Sequence, residues 1–192
     1  LDENSAGQYR YLYSLNLLDI PKRTTTFALN SRSRDVINLA GFNVQYNIRN
    51  SSVYPLYVNM AVMAIRNGST VSGTNFFRGD GAGDRGIEFG ASRTPTENHL
   101  CEINSDDYIV LKKERFKLSL NPQNTNDGKD SCRCESFYVP CKRQVRFNGS
   151  GDPHQQIVFV WWTDQSIRAR FSAAGTAHAH QMRVETLFYD ID

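Results

Sequence analysis

No stretch of this sequence contains the eighteen or so consecutive apolar residues that cross a membrane, and no secretory signal opens it. Four cysteines in 192 residues are too few for a disulfide-stapled scaffold. A large excess of charge of either sign is also lacking, because 22 Lys and Arg residues nearly balance 20 Asp and Glu residues and leave a net charge of +2. These absences favour an intracellular chain with reduced cysteines and no membrane partner. Any nucleic-acid partner would need local clusters of cations.

A long stretch with the 3.6-residue periodicity of a helix is also missing, whereas period-two alternation of apolar and polar residues recurs along the chain. The most informative stretch is 136–163. Its first half places Phe137, Val139 and Val145 on one parity and polar residues on the other, which predicts a half-buried strand. A turn rich in Gly and Pro follows. The next run, Ile157–Trp162, is apolar on both parities and predicts a strand buried on two faces.

The same patterns predict six other short strands, and together they indicate an all-β fold. In the strand 108–120 the apolar parity slips at Lys112-Lys113-Glu114, as a β-bulge would cause. Region 66–106 has no period, and a connection of this length is usually functional. We predict one domain over residues 1–192, an eight-stranded antiparallel jelly-roll sandwich. The predicted strands are 8–20, 36–50, 56–65, 108–120, 137–147, 157–162, 167–171 and 182–189.

The order of four phrases resembles a known family. SDDYIVLKKERFKLSL, SFYVPCKRQVRF, QQIVFVWWTD and the terminal MRVETLFYD are similar, in strand order and spacing, to the single-jelly-roll capsid proteins of circular Rep-encoding single-stranded DNA viruses. The fold-related capsids of satellite viruses are also similar. The resemblance covers the chain from about Tyr9 onward and is carried by strand order rather than by a catalytic signature.

The resemblance implies a structural role and not an enzyme. Identical subunits, in the simplest case about sixty, would close into an icosahedral shell around a DNA or RNA genome. The protein would then be found in the virion, with assembly in the host nucleus or cytoplasm. Such capsid proteins usually begin with an Arg-rich arm. Because nothing before Tyr9 is basic, we expect that arm to be missing upstream.

Two clusters of cations are the candidate nucleic-acid contacts. Alternate residues of a strand share a face, so each cluster could form a row of cations that meets phosphates. The competing interpretation is a solvated strand face balanced by acids such as Glu114 and Glu135. The candidates are Lys112, Lys113, Arg115, Lys117, Lys142, Arg143 and Arg146.

Region 66–106 supplies the candidate subunit contacts. Large aromatic side chains are costly to expose in a polar loop, so we predict that Phe76, Phe77 and Phe89 are buried between subunits. In the same region, Asp80 and Asp84 lie in a Gly-rich turn and could hold Ca²⁺ at a subunit contact. No other cofactor is expected.

The tripeptide Arg78-Gly79-Asp80 is read by some cell-surface receptors, which makes a host-cell receptor a candidate partner. A carbohydrate- or receptor-binding β-sandwich is accordingly one alternative function. The other alternative is a cupin-like metal enzyme, because His178-x-His180-x4-Glu185 matches the core of a cupin motif. The second cupin motif has no room, since the chain ends seven residues after Glu185. Cys132-x-Cys134 with Cys141 is a poor zinc pattern.

Overall fold

The computed structural model describes residues 2–3, 8–10, 12–24, 31–50, 55–66, 71, 76–78, 101–119, 132–149, 151–163, 167–168 and 178–190. Regular structure in these ranges is entirely β. The strands are β1 (Asp2–Glu3), β2 (Gln8–Arg10), β3 (Leu12–Asn16), β4 (Val36–Asn50), β5 (Leu56–Ile65), β6 (Tyr108–Leu118), β7 (Cys132–Arg146), β8 (Ile157–Thr163), β9 (Ile167–Arg168) and β10 (His178–Asp190). A helix long and apolar enough to span a membrane does not occur in this part of the chain.

Seven of the strands form two antiparallel sheets with a shared core. One sheet has the order β10-β4-β7 and the other has the order β3-β8-β5-β6. The turn after β7, in which Gly149 has a φ of 57°, carries the chain from the first sheet to the second. The predicted all-β architecture is confirmed. The described residues of the predicted strand 167–171 form β9, which joins β1 and β2 in a small separate ladder.

The core between the two sheets is built from one parity of each strand. In β4, Phe42, Val44 and Tyr46 are buried in this core, while Asn43 and Gln45 alternate with them on the wetter face. The pattern is the one expected of a strand with a single buried face, because successive side chains leave opposite sides of the sheet. The alternation in the sequence therefore predicted the inward face of β4 correctly.

The four-stranded sheet is buried on its outer face as well. Three β8 residues that alternate with the main core, Val158, Val160 and Trp162, belong to a second apolar cluster. Phe76 and Phe77 cover this cluster from the connection between β5 and β6, and an isolated bridge ties Phe77 to Ile103. The prediction that β8 is buried on both faces is confirmed, and the second cover comes from the same chain.

This arrangement corrects the predicted role of two aromatic residues. Phe76 and Phe77 are each 0% exposed in the single chain, and both rings make edge contacts with Trp162, at centroid distances of 5.1 and 5.9 Å. They fill the core of their own subunit because the second face of β5 and β8 needs an apolar cover. They are therefore not exposed for a contact between subunits. Phe89 lies outside the described residues.

Bulges adjust the strands where the alternation slips. In β6 the extra residue is Leu111, which lies between the pairs Val62–Lys112 and Met63–Val110, one residue before the predicted slip. A second irregularity falls where Gly41 of β4 pairs with Pro140 of β7, and Lys142 there has a positive φ of 46°. The bulge in β6 matters most for function, because it sets which face each of the following cations occupies.

Candidate nucleic-acid interface

The seven basic residues predicted as nucleic-acid contacts are divided by the fold among different surfaces. The β5–β6 register pairs Lys113 with Ala61, Arg115 with Asn59 and Lys117 with Tyr57. Ala61 belongs to the second cluster, so these three cations leave the sheet on its outer side. We call Lys113, Arg115 and Lys117 the cation row. All three are exposed, and alternate positions on a strand lie about 6.7 Å apart.

The other four basic residues lie elsewhere. Lys112 pairs with Val62, a residue of the main core, and therefore leaves β6 on the opposite side from the cation row. Arg146 pairs with Val36 and is exposed on the far sheet, while Lys142 is exposed at the irregularity of β7. Arg143 is half-buried on the inward parity, where its Nη1 donates to Gln155 Oε1 at 3.3 Å. The sequence clusters thus do not form one continuous basic surface.

Aromatic rings lie beneath the cation row. Lys113 Nζ is 5.9 Å from the ring centroid of Trp162, and Lys117 Nζ is 5.7 Å from that of Tyr57. The Arg115 guanidinium carbon is 6.0 Å from the same Tyr57 ring. Each cation lies within the range at which the ring quadrupole attracts it, so the rings favour one side-chain position over many. Trp162 is fully buried, and its ring is not available for stacking with a base.

The electrostatics of the row differ from those of Lys112. Within the described ranges, no carboxylate lies within ion-pair distance of any of the three cations, whereas Lys112 pairs with Glu114 at 3.4 Å. Partial burial, which disfavours the charged form, and then repulsion from Arg115 lower the pKa of Lys113 below its usual value. Glu102 is the acid that faces Lys113 and acts in the opposite direction. The row is therefore a set of like charges that an anion would stabilise.

A second polar cluster lies between the sheets, at one end of the sandwich. Arg133 donates to Glu135 at 2.8 Å and stacks on Phe116 at 4.4 Å, and the Tyr46 hydroxyl donates to Glu135 at 3.3 Å. Burial, with the nearby Glu135 charge, raises the pKa of Tyr46 to about 12. The phenol therefore stays protonated at neutral pH. The groups satisfy one another, which is typical of a structural network that ties β4, β6 and β7 together.

The alternative metal motif lies on β10. The β4–β10 register places His178 and His180 opposite Asn50 and Ile48, and it places Glu185 opposite Asn43. Glu185 forms an ion pair with Arg183.

The cysteines of β7 are divided between the surface and the core. Cys132 and Cys134 are exposed on the outward parity of β7, whereas Cys141 packs against the main core. All four cysteines are free thiols. The described residues contain no group of three or more His, Cys, Asp or Glu side chains that could hold a metal ion. Asp80 and Asp84, the predicted Ca²⁺ ligands, lie outside the described residues, as does most of the receptor tripeptide.

Sequence reasoning missed two features that the fold makes prominent. The first is Arg32, a fully buried cation that contacts the chain at Ile20, Arg34, Asp35 and Gly149. The second is an exposed apolar patch on the outer face of the three-stranded sheet. Its members are Tyr138, Leu187 and Tyr189, with exposed fractions of 47%, 38% and 61%. We call these three residues the outer patch.

The parity of the outer-patch residues in the sequence was the available signal. Tyr138 alternates with the inward Phe137 and Val139, and Leu187 and Tyr189 alternate with the inward Phe188.

A scan of the chain against protein-family models finds no match, and a search of curated proteins likewise finds none.

Proposed function

We propose that this protein is a viral coat subunit, a single jelly roll that assembles with copies of itself into an icosahedral shell around a nucleic-acid genome. The observation that carries the proposal is the order of the strands in the two sheets. A jelly roll is an antiparallel ribbon in which the first strand pairs with the last, the second with the seventh, the third with the sixth and the fourth with the fifth. Rolling the ribbon gives sheets of order 1-8-3-6 and 2-7-4-5.

The seven sandwich strands match this scheme if β3 is its second strand. The pairs β3–β8, β4–β7 and β5–β6 are then the pairs 2–7, 3–6 and 4–5. The contacts that the rolling creates are also present, since β8 pairs with β5 and β10 pairs with β4. All five pairings agree. The first strand of the scheme, which has no counterpart among the seven, would lie along the edge of β10. This agreement in strand order supports the jelly roll and, through it, the coat-protein resemblance of the sequence.

The outer patch supports self-assembly and replaces Phe76 and Phe77 as the candidate subunit contact. The Tyr138 hydroxyl donates to the Ala40 carbonyl at 3.0 Å, which lays the ring across Gly41. A Cβ at Gly41 would collide with the Val139 carbonyl oxygen and with that ring, so the close approach of both requires a glycine at this position. Leu187 pairs with Gly41 from the other side. Contiguous exposed apolar side chains of this kind mark interaction surfaces.

Assembly tests the proposal directly. Negative-stain electron microscopy and sedimentation velocity of the purified protein should show closed shells of uniform size, in the simplest case about sixty copies. The variant Tyr138→Ser/Leu187→Ser/Tyr189→Ser should keep the far-ultraviolet circular dichroism of the parent and lose the shells, because these side chains are exposed in the single chain. Val110→Ser, an exposed position on the other sheet, is the matched control.

The outcomes separate the candidate functions. A parent protein that stays a monomer or small oligomer at every concentration contradicts the coat-subunit proposal. If that small oligomer also binds glycans through Tyr138 and Tyr189, the alternative of a carbohydrate-binding sandwich replaces it. Normal shells from the triple serine variant would leave the proposal in place and remove the outer patch as its contact surface.

A further inference from the structure

We infer that the cation row Lys113, Arg115 and Lys117 binds the sugar–phosphate backbone of single-stranded nucleic acid, and that Lys112, Lys142 and Arg146 do not take part. The inference deepens the proposed function and rests on it for the nature of the cargo. It narrows the nucleic-acid contacts from seven residues spread over the chain to three on one face of one strand.

The first argument is the absence of internal neutralisation. Among the described residues, the cations of the row have no carboxylate partner within ion-pair distance, whereas Lys22, Lys112, Arg133 and Arg183 each have one. A cation that is already paired gains little from a phosphate, since it must give up its first partner. The cation row has no such partner to give up among the described residues, so an external polyanion can neutralise it, and the release of counterions from the polynucleotide then drives binding.

The second argument is geometry. The three cations project from the outer side of β6 at alternate positions, about 6.7 Å apart along an extended strand. Among the described strands, β6 is an edge of the four-stranded sheet and has β5 as its one neighbour. A linear polyanion can therefore run along the strand and meet the cations in succession. A globular acidic partner would need a matching row of its own, whereas every polynucleotide carries one.

The third argument is that the row is held in position before any ligand arrives. Tyr57 and Trp162 lie under the cations at 5.7 to 6.0 Å. Ordering long side chains in advance lowers the entropy lost on binding. Because the Trp162 ring is covered, the contact offers charge but little stacking at that position. We therefore expect binding without sequence preference, which suits the packaging of a whole genome.

The experiment measures how binding depends on salt. Fluorescence anisotropy with a labelled twenty-nucleotide oligo-dT, repeated with oligo-U, is recorded from about 50 to 300 mM NaCl at a protein concentration where the subunit is unassembled. For single strands the slope of log K against log salt changes by about 0.7 for each phosphate contact. The variant Lys113→Gln/Arg115→Gln/Lys117→Gln should therefore show a slope shallower by about 2, together with weaker binding at each salt concentration.

The matched control removes the same charge from other surfaces. Lys112→Gln/Lys142→Gln/Arg146→Gln should leave the slope unchanged within error. Because the stem of Lys113 packs near Trp162, a double variant, Arg115→Gln/Lys117→Gln, guards against a loss of folding and should make the slope shallower by about 1.4. Near-ultraviolet circular dichroism checks the fold of each variant.

Three results would overturn the inference. A parental slope in the cation-row variant would make the row a solvated face. Equal losses in the cation-row and control variants would show that only net charge matters. Loss of binding to a heparin oligosaccharide without loss for oligo-dT would assign the row to sulfated glycans instead. In each case, parental shells that contain nucleic acid would leave the coat-subunit proposal intact, whereas the absence of shells would count against that proposal and not against the row.

Discussion

Phe77→Ala provides the sharpest test of the core. The side chain is 0% exposed, its ring centroid is 4.9 Å from that of Phe76, and it contacts Trp162 edge-on. Removing a buried Phe side chain costs about 3–5 kcal/mol of stability, and that range includes about 0.5–1.5 kcal/mol for each lost aromatic pair. Against the 5–15 kcal/mol that typically stabilises a domain, a loss of about 4 kcal/mol is severe.

The assay is equilibrium unfolding in urea, followed by near-ultraviolet circular dichroism, on the unassembled subunit. With a urea dependence of about 2.5 kcal/mol per molar, the midpoint should fall by about 1.5 M. Val110→Thr changes an exposed side chain and should shift the free energy of unfolding by less than about 0.5 kcal/mol. An unchanged midpoint for Phe77→Ala, combined with a loss of assembly, would refute the reasoning and return Phe77 to a subunit interface.

Three further predictions concern buried and titratable groups. Arg32→Met should lower the free energy of unfolding by about 3 kcal/mol or more in urea titrations, because three backbone carbonyls lose a charged donor. These are the carbonyls of Ile20, Arg34 and Gly149. A parental midpoint would contradict this prediction. Tyr46 has a folded pKa of about 12, above its unfolded value, so its stabilising effect should be complete below pH 10 and lost as the pH rises towards 12. Tyr46→Phe should flatten this decline in the free energy of unfolding, and identical pH profiles for the variant and the parent would contradict the prediction. Burial raises the pKa of the Cys141 thiol, so less of it is present as the reactive thiolate. Iodoacetamide at pH 8 should therefore label Cys132 and Cys134 first in a mass-spectrometric time course. Earlier labelling of Cys141 would be inconsistent with its packing.

Local patterns were sufficient for most of the strands. The bounds of β4 and β5 are those predicted, because period-two alternation and short apolar runs are local consequences of strand geometry. β10 is longer than predicted, since its polar first residues pair with β4 even though no apolar pattern marks them. The site was predicted less well. Lys113, Arg115 and Lys117 share a face as the alternation indicated, but Lys142, Arg143 and Arg146 are separated from them by the pairing of β7 with another sheet.

The role of Phe76 and Phe77 shows where local reasoning stops. In isolation, two aromatic residues in a polar connection look exposed and costly, and a partner subunit is the natural explanation. The sequence did contain a second clue, because β5 and β8 are apolar on both parities and therefore need a cover on both faces. The opposing sheet covers one face only. The choice between a second subunit and the chain's own connection for the other face could not be made from local patterns.

The sequence by itself determined that this protein is built of strands, and it determined which parity of the main strands faces inward, because both follow from the two-residue repeat of an extended backbone. Only the tertiary structure decided which strands pair, that the Leu111 bulge turns Lys113, Arg115 and Lys117 outward together, and that Phe76 and Phe77 fill their own core. Pairing and covering join residues far apart in the chain. They are selected by how the whole apolar surface can be buried at once, and no short stretch of sequence contains that information.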